Sequence, residues 1–363
     1  MTLNVRLICH SQQPHIQQVY TGLSMLHRSG LVNLNQQIAT DRPGRAGAPQ
    51  HLRDARATHT RLVIEETLTV HYDMHDSQDI DLQDLDDCDY YFKRSFSSAY
   101  VSSLPRGAGK VRPYGLNYHV LPDFMDTFAA RRAWGLLNRP SDRVHALREA
   151  LDAGNKLSFH PRVRELESLP DYDLPARVLF LVTAYDPHDN ADRNSQKIAE
   201  RIETNEMRAE CIRLLRRELG PSFLGGFNHN AYTVARYKDC LVSDTTITEK
   251  KIYLRTVKSH PICVATTGLH SSIGWKFAEY VACARAILTE RPMYEVPGGL
   301  APGKNYIEFS SAADCVEQAL RLVDNQELRS MLMTANAIYY RAHLRPDSLV
   351  LNSLLAALSK ADF

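Results

Sequence analysis

The run Ile262–Ala284, ICVATTGLHSSIGWKFAEYVACA, limits the possible folds of this chain more than any other stretch. An apolar strand-like segment ends in Thr266-Thr267-Gly268. A small polar loop runs from Leu269 to Gly274, and an apolar helix opens at Trp275. A second strand, Ala286 to Leu288, follows directly. A strand, loop and helix N-terminus in this order make an anion site, because the first amides of a helix lack intrahelical acceptors and sit at the positive end of its dipole. Lys276, in the first turn, adds a mobile cation.

The same alternation of strand and helix extends to both sides. Ala176–Thr183 (ARVLFLVT) is a continuous apolar run, as a strand buried on both faces requires. An amphipathic helix is predicted over Ser195–Leu219, stopped by Gly220 and Pro221, with strand units at Ser222–Gly225, Asp239–Val242 and Ile262–Thr266. At the front, a strand Asn4–Cys9 and a turn Ser11–Pro14 lead to a helix over His15–Arg28, where Ile16, Val19, Leu23 and Leu26 recur at helical spacing. Further strands are expected at Arg61–Glu65, Leu68–His71, Asp89–Lys93 and Val111–Pro113. Ala39–Ala57, rich in Arg, Gly, Pro and Gln, reads as a loop. Alternation of this kind implies α/β architecture with doubly wound parallel sheets.

A chain of 363 residues suits two domains. Glu167–Pro175, with two prolines and no periodicity, is the expected junction. The expected domains are 1–170, 171–345 and a terminal helix in 346–363. Near-balanced charge, +1 formally, argues against a protein that coats nucleic acid, and no nucleic-acid partner is expected. The seven cysteines form no CxxC pair, so neither a zinc ribbon nor a thioredoxin-like site is expected, and buried reduced thiols are. The opening residues lack a signal-peptide core and no apolar run reaches bilayer length. A cytoplasmic location is the expectation, with peripheral contact at the inner membrane face as an open alternative.

Over its last third the chain resembles the donor-binding half of two-domain (GT-B) nucleotide-sugar glycosyltransferases of the group 1, family 4-like type. The matching pieces, in order, are Glu279-Tyr280-Val281-Ala282, Ala286-Ile287-Leu288, Gly303-Lys304-Asn305-Tyr306 and Glu327-Leu328-Arg329. The resemblance implies two Rossmann-like domains facing a cleft and a C-terminal helix that crosses back to the first domain. It implies an enzyme that transfers a sugar from a nucleotide-sugar to a glycan or lipid-linked acceptor, with a role in bacterial surface polysaccharide. It departs from many retaining members at Ser271, where they carry a Glu, so retaining or inverting stereochemistry stays open. A sugar-nucleotide epimerase and a non-catalytic nucleotide-binding protein are the alternatives.

Expected donor contacts are Gly268, His270, Ser272, Ile273, Gly274, Lys276 and Glu279. The Glu is implied by the resemblance to accept bonds from ribose hydroxyls; a surface turn with a capping serine is the alternative. Thr183, Arg193 and Arg208 join them, because ligands of such sheets sit beyond the carboxyl ends of the strands. In the first domain His10 ends a strand, and His71, Asp73, His75 and Asp76 cluster after another. Acid–base or acceptor-binding work is one reading and a solvated loop the other. His10, Asp73, Asp76 and Lys276 are the candidate catalytic groups, and Lys93, Arg94 and Asn117 the candidate acceptor or cleft contacts. Alternate strand residues face opposite ways, so those His and Asp do not converge on one ion, and no metal or other cofactor is expected. The acidic run Asp81–Asp89 lacks the glycine and terminal Glu of a calcium loop. Arg131, Arg132, Arg139, Arg143, Arg148, Arg162 and Arg164, interleaved with Trp134, Leu136 and Leu137, read as a solvated helical pair or as a surface for anionic lipid head groups or an anionic acceptor.

Overall fold

The computed structural model describes residues 2–11, 13–39, 58–136, 143–153, 160–189 and 194–359. The chain divides into two compact units. One comprises Met1–Glu165, Tyr294–Gly298 and Arg341–Phe363; the other comprises Leu166–Met293 and Gly299–Tyr340. The expected loop 40–57 and the candidates Arg139 and Arg193 lie outside the described residues.

The first unit is built on β1 (Leu3–Cys9), β2 (Val32–Ile38), β3 (His59–Ile64), β4 (Leu68–Asp73), β5 (Tyr90–Lys93) and β6 (Val111–Pro113), in sheet order β2-β1-β3-β4-β5-β6. β2 had no counterpart among the expected strands. Its sequence, VNLNQQI, buries only Val32 and Leu34, too few apolar residues to announce an edge strand. Within this sheet β3 runs antiparallel to both β1 and β4, while the remaining pairs are parallel. The β3–β4 turn places Glu65 and Glu66 at φ 48° and 56°, with the Thr67 amide donating to the Ile64 carbonyl at 3.1 Å. Asn-Gly is the usual choice for such a turn. Here the side chains secure it instead: Glu65 accepts from the Asn4 amide at 2.7 Å, and Glu66 pairs with Arg6 at 2.7 Å.

One core of this unit joins β1, β3 and β4 to the helix Gln17–Arg28 and the helix Pro346–Ser359, through Val19, Leu23, Leu62, Val70, Val350 and Leu354. The two helices pack so closely at Gly22 that an added Cβ would lie 2.3 Å from the Pro346 carbonyl oxygen. Gln18 donates to the Leu344 carbonyl at 3.0 Å, and the Tyr72 and Ser353 hydroxyls meet at 2.7 Å.

The second unit holds β7 (Val178–Val182), β8 (Phe223–Phe227), β9 (Ile262–Ala265), β10 (Ala286–Glu290) and β11 (Tyr306–Phe309), all parallel, in order β11-β10-β9-β7-β8. Every residue of β7 is buried, as its unbroken apolar sequence requires. The helix Ser195–Leu219 begins where the Asn194 side chain accepts from the Lys197 amide and stops at Gly220, φ 50°. The strand expected at Asp239–Val242 is instead a short 3-10 turn, Lys238–Cys240, with one bridge from Leu241 to Phe227. Asp239 is committed to Arg213 and lies off the sheet. All seven cysteines are buried thiols outside any disulfide.

Candidate functional site

In the second unit the carboxyl ends of β7, β9 and β10 carry the expected donor-site residues. The loop after β9 is held by its own backbone. The Gly268 amide donates to the Ser272 carbonyl at 2.8 Å, and the Ser272 amide to the Leu269 carbonyl at 3.2 Å. His270 and Ser271 both adopt left-handed backbone, φ 59° and 54°, which costs a non-glycine residue roughly 1–2 kcal/mol each. The His270 amide donates to Glu200 at 2.6 Å. Thr267 gives both its amide and its hydroxyl to the Glu290 carboxylate at 2.8 and 3.1 Å.

The amides of Thr267, Gly268, His270 and Ser272 are therefore used internally. Next along the chain comes the start of the helix Trp275–Ala282. Its N-cap is Gly274, and no side chain caps it. A shallow depression lies there, lined by Thr266, Thr267, Ile273, Gly274, Phe277 and Glu290.

Lys276 reaches inward. Its ammonium donates to the Leu181 carbonyl at the end of β7 and lies 5.5 Å from the Tyr253 ring centroid. Burial pushes its pKa down to about 8, against the pull of Glu279. Glu279 is 2% exposed and paired with Lys250 from the helix Lys250–Lys258, a partner 29 residues away with no sequence signal to betray it.

Arg208 and Asn205 are buried, not on the helix surface. Arg208 donates to the Thr183 carbonyl at 2.6 Å, the Thr266 hydroxyl at 2.9 Å and the Thr267 carbonyl at 2.8 Å. Asn205 accepts from the Tyr185 amide and donates to its carbonyl, at 2.8 and 2.7 Å. Tyr185 lies under Arg208 and Arg201, with centroid distances of 4.9 and 5.3 Å. Thr183 is exposed just past β7. These contacts fix the loops after β7 and β9 to one another.

Two pieces of the glycosyltransferase-like pattern also act as framework. Asn305 is 1% exposed and exchanges bonds with Asn336, which in turn donates to the Arg285 carbonyl. Arg329 donates to the Leu322 and Val323 carbonyls, capping the helix Ala312–Asp324.

In the first unit the candidates at the ends of β4 and β5 enter a buried ionic cluster. Asp73, 1% exposed, accepts from Lys93 at 2.7 Å, Tyr91 at 2.6 Å and the His75 amide at 2.9 Å. His59 lies 3.0 Å from its other oxygen. Burial alone would raise the Asp73 carboxyl, but His59 and Lys93 hold it well below the usual range. Burial likewise opposes a charge on His59, yet Asp73 and Asp84 raise its pKa in sum; burial and then charged His59 depress its neighbour His71.

Arg94, nearly buried, pairs with Asp76, whose side chain is 38% exposed. Burial raises the Asp76 carboxyl, but Arg94 and His15 outweigh it and the net shift is downward. His15 and His75 are each pushed down to about 4, chiefly by burial. Asp73 and Asp76 thus have lowered basicity, the reverse of what a general base near neutral pH needs. Lys93 does not reach solvent. Asn117 donates to the His15 carbonyl at 3.0 Å, while its own amide oxygen finds no donor among the described residues. His10 is half-buried just past β1. His15, His59, Tyr91 and Asp84 belong to this cluster and were not foreseen.

His59, His71 and Asp84 lie close enough together to suggest an ion. The chemistry disfavours it. Arg61 donates from Nε to Nδ1 of His71 at 3.2 Å, which occupies the lone pair of that nitrogen. Lys93 and Arg61 already balance Asp73 and Asp84. A divalent ion would add uncompensated buried charge.

No family model matches the chain, and no curated protein matches it. Solved structures do. A putative UDP-N-acetylglucosamine 2-epimerase from Listeria monocytogenes is 11% identical, with 100% of this chain and 98% of that one covered and a TM-score of 0.44. The S. aureus MnaA–UDP co-structure is 11% identical, covering 98% and 96%, at 0.41. The C-terminal domain of a glycosyl transferase group 1 family protein (LpcC) from Francisella tularensis is 9% identical, covering 50% and 96%, at 0.34. At these scores the likeness carries no weight for function, which has to come from the residues. Among the described residues no helix is long and apolar enough to cross a membrane.

Proposed function

We propose that the second unit binds the diphosphate of a nucleotide-sugar at the start of the helix Trp275–Ala282, and that the chain is a glycosyltransferase. The observation that carries this is the uncapped helix start at the carboxyl ends of β9 and β10, with the Lys276 ammonium drawn in behind it. A departing diphosphate gains negative charge as the bond to the sugar breaks. Helix amides and an ammonium already fixed in place stabilise that charge without reorganising at the moment of reaction. In this proposal Lys276 and the amides take the part that a divalent cation plays elsewhere. Glu279, anchored by Lys250, offers its carboxylate to the ribose hydroxyls. Asp76, the more exposed of the two first-unit carboxylates, is retained as the acceptor-side candidate, with Arg94 beside it. The acceptor is a glycan or lipid-linked sugar.

The test is a thermal-shift screen against UDP-, GDP-, dTDP-, ADP- and CMP-sugars. A ligand at a hundred times its dissociation constant adds about 2.7 kcal/mol of stability. Lys276→Ala, removing one charged hydrogen bond of about 1.5–3 kcal/mol, should weaken binding roughly 10- to 100-fold. Glu279→Gln should weaken it less, since Lys250 is half-open and can turn to water. Absence of any shift with all five donors would remove the proposal.

The alternative, a sugar-nucleotide epimerase, needs paired acid and base groups at a sugar carbon, and the Asp73–His59–Lys93 cluster is closed off from solvent. Conversion of the bound donor to its epimer with no acceptor present would select that reading.

A further inference from the structure

We infer, resting on the diphosphate site proposed above, that Arg208 is its positioning residue, which holds the strained loop after β9 in place and keeps a fixed positive charge near Lys276. Arg208 itself does not touch the ligand in this account.

Arg208 is 4% exposed. Its guanidinium donates to the Thr183 carbonyl beyond β7, and to the Thr266 hydroxyl and the Thr267 carbonyl beyond β9. Among the described residues no carboxylate pairs with it. A buried arginine ordinarily has such a partner. Its charge is therefore not cancelled on the spot, and it acts on the groups around it.

Thr267 is held from two sides. Glu290, at the end of β10, takes its amide and hydroxyl, and Arg208 takes its carbonyl. The Tyr185 ring lies under Arg208, and its hydroxyl is 3.8 Å from where a Cβ on Gly268 would stand. That Cβ would lie 2.7 Å from the Ser272 hydroxyl, so the loop closes on itself with no room for a side chain there. His270 and Ser271 follow in left-handed backbone. Strain of this kind persists only where the surroundings over-determine the chain. Without Arg208 the loop relaxes, and Gly274 and the first amides of the helix Trp275–Ala282 move with it.

The second effect is electrostatic. Lys276 faces Glu279 on its own helix, Lys250 and Tyr253 on the helix Lys250–Lys258, the Leu181 carbonyl on β7, and Arg208 on the helix Ser195–Leu219. Burial depresses the Lys276 pKa most; Glu279 opposes this, while Lys250 and Arg208 add to it. A side chain that only braced the backbone would leave the titration of Lys276 where it is.

The probe is inorganic pyrophosphate, titrated calorimetrically into the full chain on both sides of the Lys276 value of about 8. Arg208→Gln should weaken binding at neutral pH roughly 10- to 100-fold, the cost of a displaced site. It should also move the alkaline fall-off in affinity to higher pH, because one cation that depresses Lys276 is gone. Arg208→Lys keeps the charge but cannot reach three acceptors, so the fall-off should stay in place while only part of the affinity returns. The titration of pyrophosphate itself is common to all the proteins and drops out of the comparison. Arg213→Gln, half-exposed on the same helix, should change neither quantity. Hydrogen exchange at the Gly268 and Ser272 amides, which bond within the loop, should quicken in Arg208→Gln.

Equal affinity and an unmoved fall-off in Arg208→Gln would overturn the inference and leave the diphosphate site standing. So would unchanged exchange at Gly268 and Ser272, or a fall-off that moves as far in Arg208→Lys. If circular dichroism shows Arg208→Gln unfolded, Arg208→Lys decides, and wild-type affinity in it overturns the clamp. No pyrophosphate binding to the wild type would remove the site and this inference together. Pyrophosphate binding without a response to any nucleotide-sugar would end the transferase reading alone.

Discussion

Replacing Asp73 by Asn tests the ionic core of the first unit. The substitution keeps the shape and removes the charge that faces Lys93 at 2.7 Å, with His59 at 3.0 Å. At an effective dielectric of about 20, the 2.7 Å pair attracts by about 6 kcal/mol, so the loss is large. The expected destabilisation is about 3–5 kcal/mol at neutral pH, in line with removing one partner of a buried pair.

It shrinks in acid. The Asp73 pKa is lowered by folding, so its contribution is complete above the unfolded carboxyl value and is lost as pH falls through the folded one. His59 behaves in the opposite sense. Its pKa is raised, so its share is complete below the unfolded imidazole value and fades as pH rises through the folded one. The assay is native-state hydrogen exchange of the β4 and β5 amides, which reads this unit alone. Adding Lys93→Met to Asp73→Asn should restore most of the loss, since an apolar side chain of similar length leaves no orphaned charge. A cost below about 1 kcal/mol at pH 7, or no recovery in the double variant, would refute the view that these two charges hold each other in place.

Nucleotide-sugar affinity should fall as pH rises past the Lys276 value of about 8, because the neutral amine cannot attract phosphate; calorimetric titration on both sides of that value measures it, and Lys276→Arg should flatten the dependence. Gly22→Ala should destabilise the first unit by about 1–3 kcal/mol through its clash with Pro346. Gly109→Ala, where an added Cβ meets nothing within 4 Å, is the control in urea unfolding.

The β9–loop–helix segment could be read from sequence because all its signals are local: an apolar run, a glycine, then helical spacing. β7 was legible for the same reason, since a strand covered on both faces must be apolar throughout. β2 was not, because an edge strand with one buried face needs only two apolar side chains. The antiparallel course of β3 was hidden in a Glu-Glu turn that owes its geometry to Asn4 and Arg6, some 60 positions away. The site divides in the same way. That Gly274 and Lys276 lie at a helix start follows from spacing. That Arg208 clamps two loops, that Lys250 faces Glu279, and that Asp73 is closed off by His59 and Lys93 depends on partners 20 to 59 residues distant or on the adjacent strand.

The helix Pro346–Ser359 supplies Leu349, Val350 and Leu354 to a core whose other members begin at Val5. A ribosome therefore completes all of the second unit before it delivers this last wedge to the first. Until then Tyr72, Leu23 and Val19 have an open side, and the early-made half waits, incompletely closed, while the later-made half can already fold. In the cell, the half that is started first is the half that is finished last.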